Sequence, residues 1–349
     1  MSEYDVIVVG GGPAGCRTAE LVSRKGYKVL LVEEHKSIGE PVHCTGLISG
    51  RLKEILPDLP DSVIINSLKS AKFFHGSNSF ELISKNPVYV VDRARLDRYL
   101  YTRMKSNADV KLDTKFVDFK RDGGMIKVKT TKGIFETKLL VGADGHGSRV
   151  ASKAGLEPPE NRLVGVQATV NGHFDSSAEL WFGKDLSPDF FGWVVPLDSS
   201  EARVGLAAKS DAKDYFDKFL ESRLGKTQKP DAAGIINFGL MDTAADNVLL
   251  VGDAACQVKP LSGGGVIYSL ICAGFCANAC IKSLREKRFD KAFLEDEYDK
   301  EWKEKLQKPI ERGIFYSKLL HSSEFKVGML FRIAKMSRFL LQRLDMDLL

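Results

Sequence analysis

Gly10, Gly12 and Gly15 fill the pattern G-x-G-x-x-G, directly after the apolar run YDVIVV and before a stretch of helical periodicity. In that setting each glycine has its own task. Gly10 permits a tight turn, Gly12 lets the backbone approach a pyrophosphate without a Cβ in the way, and Gly15 allows the helix to pack closely on the strand. Pro13 and Ala14 open that helix, whose first N–H groups lack partners and face an anion. Glu33 and Glu34 end the next strand, where a carboxylate accepts the hydroxyls of an adenosine ribose. This chemistry is dinucleotide binding, and the fingerprint alone does not separate a nicotinamide from a flavin.

Two later segments point to a flavin. VGADGHGS places Ala143, Asp144 and Gly145 just past a strand, and LLVGDAA places Gly252 and Asp253 at the end of another, where a carboxylate accepts a ribityl hydroxyl. Pro260 and the glycines Gly263, Gly264 and Gly265 then form a turn with exposed backbone that opens a long helix. The N-terminus of such a helix holds the carbonyl edge of an isoalloxazine and favours its anionic reduced form. No second G-x-G-x-x-G crossover is present for a nicotinamide.

The elements that must position these residues follow from the pattern. Strand 4–9, helix 13–25 and strand 28–32 form a β-α-β unit. A loop spans 41–49, a helix 93–105, and a β-meander 110–140 with turns at RDGG and 131–133. A strand-rich stretch 163–208, a helix 211–224, strand 248–251 and the helix from Val266 come next, and the last 60 or so residues read as helical. The fold class is therefore α/β: a Rossmann-type FAD-binding domain, an interleaved β-sheet substrate domain and a helical C-terminal segment. The expected limits are 1–70, 91–160 and 244–285 for the first, 71–90 and 161–243 for the second, and 286–349 for the third.

With 349 residues, 44% hydrophobic and 28% charged, the chain supports a sizeable core and does not read as disordered. No secretory leader is visible, and six cysteines in such a chain suggest reduced thiols in a cytoplasmic setting. Cys272, Cys276 and Cys280 recur every four residues on one helix face and read as packing residues, with no second ligand group at metal-binding spacing. The run 266–281 reads as a buried core helix rather than a membrane span. Nothing in the sequence calls for a nucleic-acid partner.

In the order of its glycine fingerprint, DG segment and GD segment, residues 1–285 resemble the FAD-dependent family of aromatic hydroxylases, flavin halogenases and geranylgeranyl reductases. The resemblance implies that Arg93, in VDRARLDRYL, contacts the cofactor. PDFFGWVVP is similar to the P-x-x-Y-x-W-x-F-P motif of the geranylgeranyl reductases: Pro188, Trp193 and Pro196 match, while Phe191 replaces Tyr and Val195 replaces Phe. Phe191, Trp193 and Pro196 are thus expected to line an apolar substrate wall. PVHCTGLISG resembles the cysteine-bearing loop beside the flavin in those reductases, which makes Cys44 the expected catalytic thiol facing the substrate, with Cys256 as a possible redox partner. The implied activity is saturation of geranylgeranyl-type double bonds of lipid precursors by hydride from reduced flavin N5, with NADPH or a ferredoxin-type carrier as donor. The same cofactor platform also serves monooxygenases, halogenases and non-catalytic electron relays.

From Trp302 onward there are ten Lys or Arg against five Asp or Glu, an excess equal to the net +5 of the whole chain. Within it FKVGMLFRIAKMSRFLL, residues 325–341, alternates apolar and basic residues at helical spacing, the pattern of a helix lying on an anionic membrane surface and equally of one packed on its own domain with a solvated basic face.

Overall fold

The computed structural model describes residues 3–336. The chain opens with strand β1 (Glu3–Val9), helix α1 (Pro13–Ser23) and strand β2 (Val29–Val32). Then come β3 (Leu47–Ser49), α2 (Arg51–Ile55), the long hairpin β4 (Ile64–His75) and β5 (Asn78–Val91), α3 (Arg93–Lys105) and β6 (Asp109–Lys111). The meander β7 (Phe116–Asp122), β8 (Met125–Thr130) and β9 (Gly133–Gly142) leads to α4 (Arg149–Ala154). Strands β10 (Arg162–Asn171), β11 (Ala178–Gly183), β12 (Ser187–Pro196) and β13 (Glu201–Ala208), helix α5 (Ala212–Leu224) and strand β14 (Ala232–Asn237) follow. The chain finishes with β15 (Ala244–Ala245), β16 (Val248–Leu250), α6 (Val266–Glu286), α7 (Lys291–Leu294), a π-helical turn at Glu295–Asp299, α8 (Lys300–Leu320) and α9 (Glu324–Met336).

Two eight-stranded sheets organise these elements. In the first, β16, β9, β1, β2 and β6 run parallel in that order, and β8 and β7 continue antiparallel from β9. Its register matters most: Val9 pairs with both Val32 and Gly142, and Gly142 pairs with Leu250. The residues that follow these strand ends, Gly10, Glu33, Ala143 and Val251, therefore emerge at one level on the carboxyl edge, where parallel sheets bind ligands.

The second sheet has the order β14-β10-β13-β12-β11-β4-β5-β3. One face is covered by α5 through Phe216, Phe219 and Leu220, and the other carries Phe191 and Trp193. The pairing of β4 runs through the whole of Ile64–His75, and β3 joins the same sheet. The substrate sheet thus begins earlier than the expected limit of residue 71. Alternate positions Ile65, Ser67 and Lys69 of this strand face solvent.

Helix α6 is buried against α1, with Cys272, Cys276 and Cys280 all at zero exposure in the main core. Among the described residues it is the helix long and apolar enough to cross a bilayer, and most of its apolar window is covered by protein.

Candidate active site

The three fingerprint glycines separate by geometry into the tasks their spacing implies. Gly10 has φ +106°, and an added Cβ would stand 2.2 Å from the Ala143 carbonyl oxygen. A Cβ on Gly15 would meet the Gly10 carbonyl oxygen at 1.9 Å, whereas one on Gly12 would meet nothing within 4 Å. Gly12 therefore borders open space, a cleft of about 310 Å³ lined by Gly10 to Gly12, Glu33, Lys115 and Asp144 among others. Pro13 begins α1, and Ala14 is buried against Gly252, where a Cβ would approach the Ala14 methyl to 2.8 Å.

Glu33 is fixed at the end of β2. The Gly11 N–H donates to its Oε2 at 2.6 Å, and the His35 N–H donates to its Oε1 at 2.9 Å, with His35 Nδ1 2.6 Å from the same oxygen. Glu34 stands on the rim instead, paired with Lys115 at 2.6 Å, which holds its carboxyl below the ordinary range. Asp144 accepts from the Ser148 hydroxyl at 2.6 Å and from the N–H groups of Arg149 and Val150 at 2.7 and 3.2 Å. Its carboxylate thus caps α4 and sets the path of Gly145, where an added Cβ would again meet open space.

Asp253 lies in a recess that water can enter, yet enough protein surrounds it that burial raises its pKa, with Arg93 and His146 pulling the other way. A Cβ on Gly265 would stand 2.7 Å from its Oδ1, so the start of α6 passes close to this carboxylate. Among the described residues no side chain caps that helix at its N-terminus. Gly263, with φ +68°, turns the chain into it beside Gly264. Pro260 is buried against Gly313 of α8, where a Cβ would come within 2.9 Å.

Arg93, half-buried at the start of α3, binds Asp97 through Nε and Nη2 at 3.2 to 3.3 Å. Burial opposes its charge, but Asp97 and Cys44 outweigh burial and keep it protonated. Burial raises the Asp97 carboxyl in turn, against the pull of Arg93. The half-buried Cys44 Sγ accepts the Gly46 N–H at 3.3 Å. Its loop is tied to the second sheet: Arg203 Nη1 donates to the Thr45 carbonyl at 2.6 Å, and Thr45 Oγ1 donates to Gln167 at 2.7 Å. Cys256 is buried and borders a second cavity of about 220 Å³ with Asp253 and His146. Burial lowers the pKa of His146 and lifts that of Cys256 to about 12. Both cysteines are free thiols.

Phe190 and Phe191 stack at 4.1 Å, Phe182 lies 5.4 Å from Phe191, and Trp193 meets Phe191 edge-on at 6.3 Å. This cluster reaches the triglycine turn, since a Cβ on Gly263 would lie 3.1 Å from Ile236 and 3.5 Å from Phe190. Pro196 is buried at the far end of β12, where its carbonyl accepts from Asn66 at 3.1 Å. The structure thus joins Phe191 and Trp193 to the turn and leaves Pro196 at the other end of their strand. A glycine cradle, a recessed carboxylate and an uncapped helix start together fit a pyrophosphate, a ribityl chain and a flavin ring.

The FAD binding domain family matches residues 3–271. A digeranylgeranylglycerophospholipid reductase of Methanocaldococcus jannaschii is 30% identical, covering 91% of this chain and 86% of its own length. Digeranylgeranylglycerophospholipid reductase 2 of Methanothermobacter thermautotrophicus is 32% identical, covering 91% and 88%. The chain belongs to the geranylgeranyl reductase family of FAD-dependent oxidoreductases. The crystal structure of a geranylgeranyl bacteriochlorophyll reductase-like protein from Thermoplasma acidophilum shares the fold, with a TM-score of 0.91 over 100% of this chain and 95% of that one, at 24% identity.

Like its family, this member binds FAD. Arg203 and His146, which the structure brings to this region, were not legible as site residues. The one available signal was Arg203, a lone cation among apolar residues in EARVGLAA.

Proposed function

We propose that this chain is an FAD-dependent reductase that saturates isoprenoid double bonds of lipid precursors. The observation that carries the reading is the contact of the aromatic cluster with the triglycine turn, which sets an apolar wall beside the flavin position. Burial of methyl and methylene groups supplies about 25 cal/mol per Å² of binding energy. A prenyl chain therefore needs no charged anchor along its tail.

FAD supplies hydride-transfer chemistry when bound, and the second alkene carbon takes up a proton. The protein's share is orientation and exclusion of water. Gly10, Gly12 to Gly15, Glu33 and Glu34 are assigned to the adenosine and pyrophosphate half. Arg93, Ala143 to Gly145, Gly252, Asp253, Pro260 and Gly263 to Gly265 are assigned to the ribityl and ring half, where the α6 dipole favours negative charge. Phe191 and Trp193 form the substrate wall, and Cys44 faces the substrate.

Protein reduced anaerobically and given a geranylgeranyl lipid should yield product heavier by one hydrogen molecule per saturated bond. Oxygen incorporation would instead indicate a monooxygenase, and flavin oxidation by a partner protein alone would indicate a relay. Reduction of the flavin by NADPH or by a reduced ferredoxin identifies the class of donor.

The lipid reading extends to location. Phe325, Met329 and Ile333 recur every fourth residue on α9 at 83%, 47% and 51% exposure, with Met336 beyond them and Lys326, Arg332 and Lys335 beside them. The opposite face is anchored by Phe331 against Phe80 and Phe182. We assign the outer face to an anionic bilayer surface. Arg338 and the rest of the basic run lie outside the described residues. Serine at 325, 329 and 333 should abolish cosedimentation with phosphatidylglycerol vesicles, and unaltered binding would refute the assignment.

A further inference from the structure

Beyond the strand end of β16, the chain needs a sharp turn to deliver Asp253. Gly252 takes φ +72°, and an added Cβ would come within 2.8 Å of the Ala14 methyl group. A turn of this kind leaves its peptide groups without ladder partners, so something else must fix them.

One side chain does so. Gln257 Oε1 accepts the Gly252 N–H at 2.8 Å, while the Gln257 N–H donates to the Gly252 carbonyl at 3.1 Å. The amide's other end is held from a different part of the chain: Gln257 Nε2 donates to Tyr298 Oη at 2.9 Å, and that hydroxyl donates to the Leu250 carbonyl at 2.6 Å. Leu250, Tyr298, Gln257 and Gly252 therefore close a ring of hydrogen bonds around the peptide unit preceding Asp253. Gln257 and Tyr298 are both at zero exposure, so water cannot substitute for either partner.

Tyr298 is the unusual member. It lies beyond residues 3–271, which match the FAD-binding family, and it sits on the π-helical turn Glu295–Asp299. In a regular α-helix consecutive side chains diverge by about 100°. Here Tyr298 and its neighbour Asp299 both reach inward, Asp299 accepting from the Thr243 hydroxyl at 2.6 Å. Wide turns of this type recur at functional sites. Burial pushes the Tyr298 phenol well up, with Cys276 and Cys272 adding to it, so the hydroxyl keeps its proton.

We propose that Gln257 and Tyr298 are positioning residues that hold the Gly252–Asp253 turn in its FAD-binding conformation, so that the C-terminal segment contributes to flavin retention. The proposal rests on the flavin assignment and not on the identity of the substrate. A turn with its N–H unpaired samples other conformations, and the ligand must then bear the cost of ordering it.

The test is titration of apoprotein with FAD, read by quenching of flavin fluorescence, alongside thermal melting of the apo and loaded forms. Tyr298→Phe removes only the hydroxyl, and Gln257→Met keeps the shape while orphaning the Gly252 N–H. Each should weaken FAD binding roughly tenfold and lower the melting temperature of the loaded form more than that of the apo form. Trp302→Phe is the control. It loses the indole N–H bond to Thr243 at 2.9 Å, which is no member of the ring, and should lower both melting temperatures while leaving FAD affinity unchanged. Wild-type affinity in both clamp variants, or an equal loss of affinity in Trp302→Phe, overturns the proposal. Failure of the wild-type apoprotein to take up FAD would instead remove the flavin assignment itself.

Discussion

Gly15 lies so close to Gly10 that a Cβ added to it would stand 1.9 Å from the Gly10 carbonyl oxygen, while the Cβ position of Gly12 faces open cleft. Two glycines of one motif therefore predict opposite phenotypes. Gly15→Ala forces backbone apart in the core and should cost about 1–3 kcal/mol or more in stability. Gly12→Ala should melt like the wild type yet bind FAD at least about tenfold more weakly, equivalent to 1.4 kcal/mol. Circular dichroism melts of the apoproteins and FAD titrations separate the two. Equal melting temperatures for both variants would show that the helix is not seated on the strand in this way.

Asp253 predicts a pH dependence of cofactor binding. Burial raises its carboxyl above the ordinary value of 3.8. A carboxyl raised on folding takes up protons that the unfolded chain does not, so it disfavours the apo fold at neutral pH, and acid relieves this as pH falls through the raised pKa. FAD binding carries the opposite sign, because a ribityl hydroxyl donates to the ionised form. The FAD dissociation constant should therefore climb by up to about tenfold per pH unit once pH falls through that raised value. Asp253→Asn should bind weakly with this component of the pH profile gone. A wild-type profile flat down to the ordinary carboxylate range would remove Asp253 from the site.

The crossover, the two later acidic turns and the helix at Arg93–Lys105 were legible because each depends on local chemistry: glycine where φ is positive, apolar periodicity, and a carboxylate at a strand end. What the sequence hid was mostly non-local. Gln257 and Tyr298 are 41 residues apart and meet only because α6 and the π-helical turn fold back over the parallel sheet. Asp144 reads as a cofactor ligand from its place after a strand, while the hydrogen bonds from Ser148, Arg149 and Val150, which turn its carboxylate toward α4, have no signature in the sequence. The early start of the substrate sheet escaped notice because the polar outer face of β4 interrupts any apolar run.

The buried pair Arg93 and Asp97 predicts a separation of stability from binding. Removing one member of a buried ion pair leaves an uncompensated charge and costs about 3–5 kcal/mol, while replacing both with apolar residues is often neutral. Arg93→Met should therefore destabilise strongly, and adding Asp97→Leu should restore most of the melting temperature. Flavin affinity should stay low in the double variant, because the Arg93 charge that acts on Asp253 is still missing. Recovery of both properties together would mean that Arg93 serves the fold alone.

Trp193 is the last case, and it turns on a single atom. Its indole lies over two strand glycines: a Cβ on Gly205 would stand 2.6 Å from Cζ2, and one on Gly165 would stand 4.0 Å from Cη2. Its Nε1 is buried without a hydrogen-bond partner among the described residues. Removing an unpaired buried donor is nearly neutral or stabilising, because its desolvation cost disappears with it. Trp193→Phe also loses ring volume, so the two effects oppose and its melting temperature should stay close to that of the wild type. If the N–H instead awaits an oxygen of the substrate, the same variant should show a raised KM for head-group-bearing lipids and a smaller change for a bare prenyl hydrocarbon. An identical response of the two substrates to Trp193→Phe would assign Trp193 to shape alone.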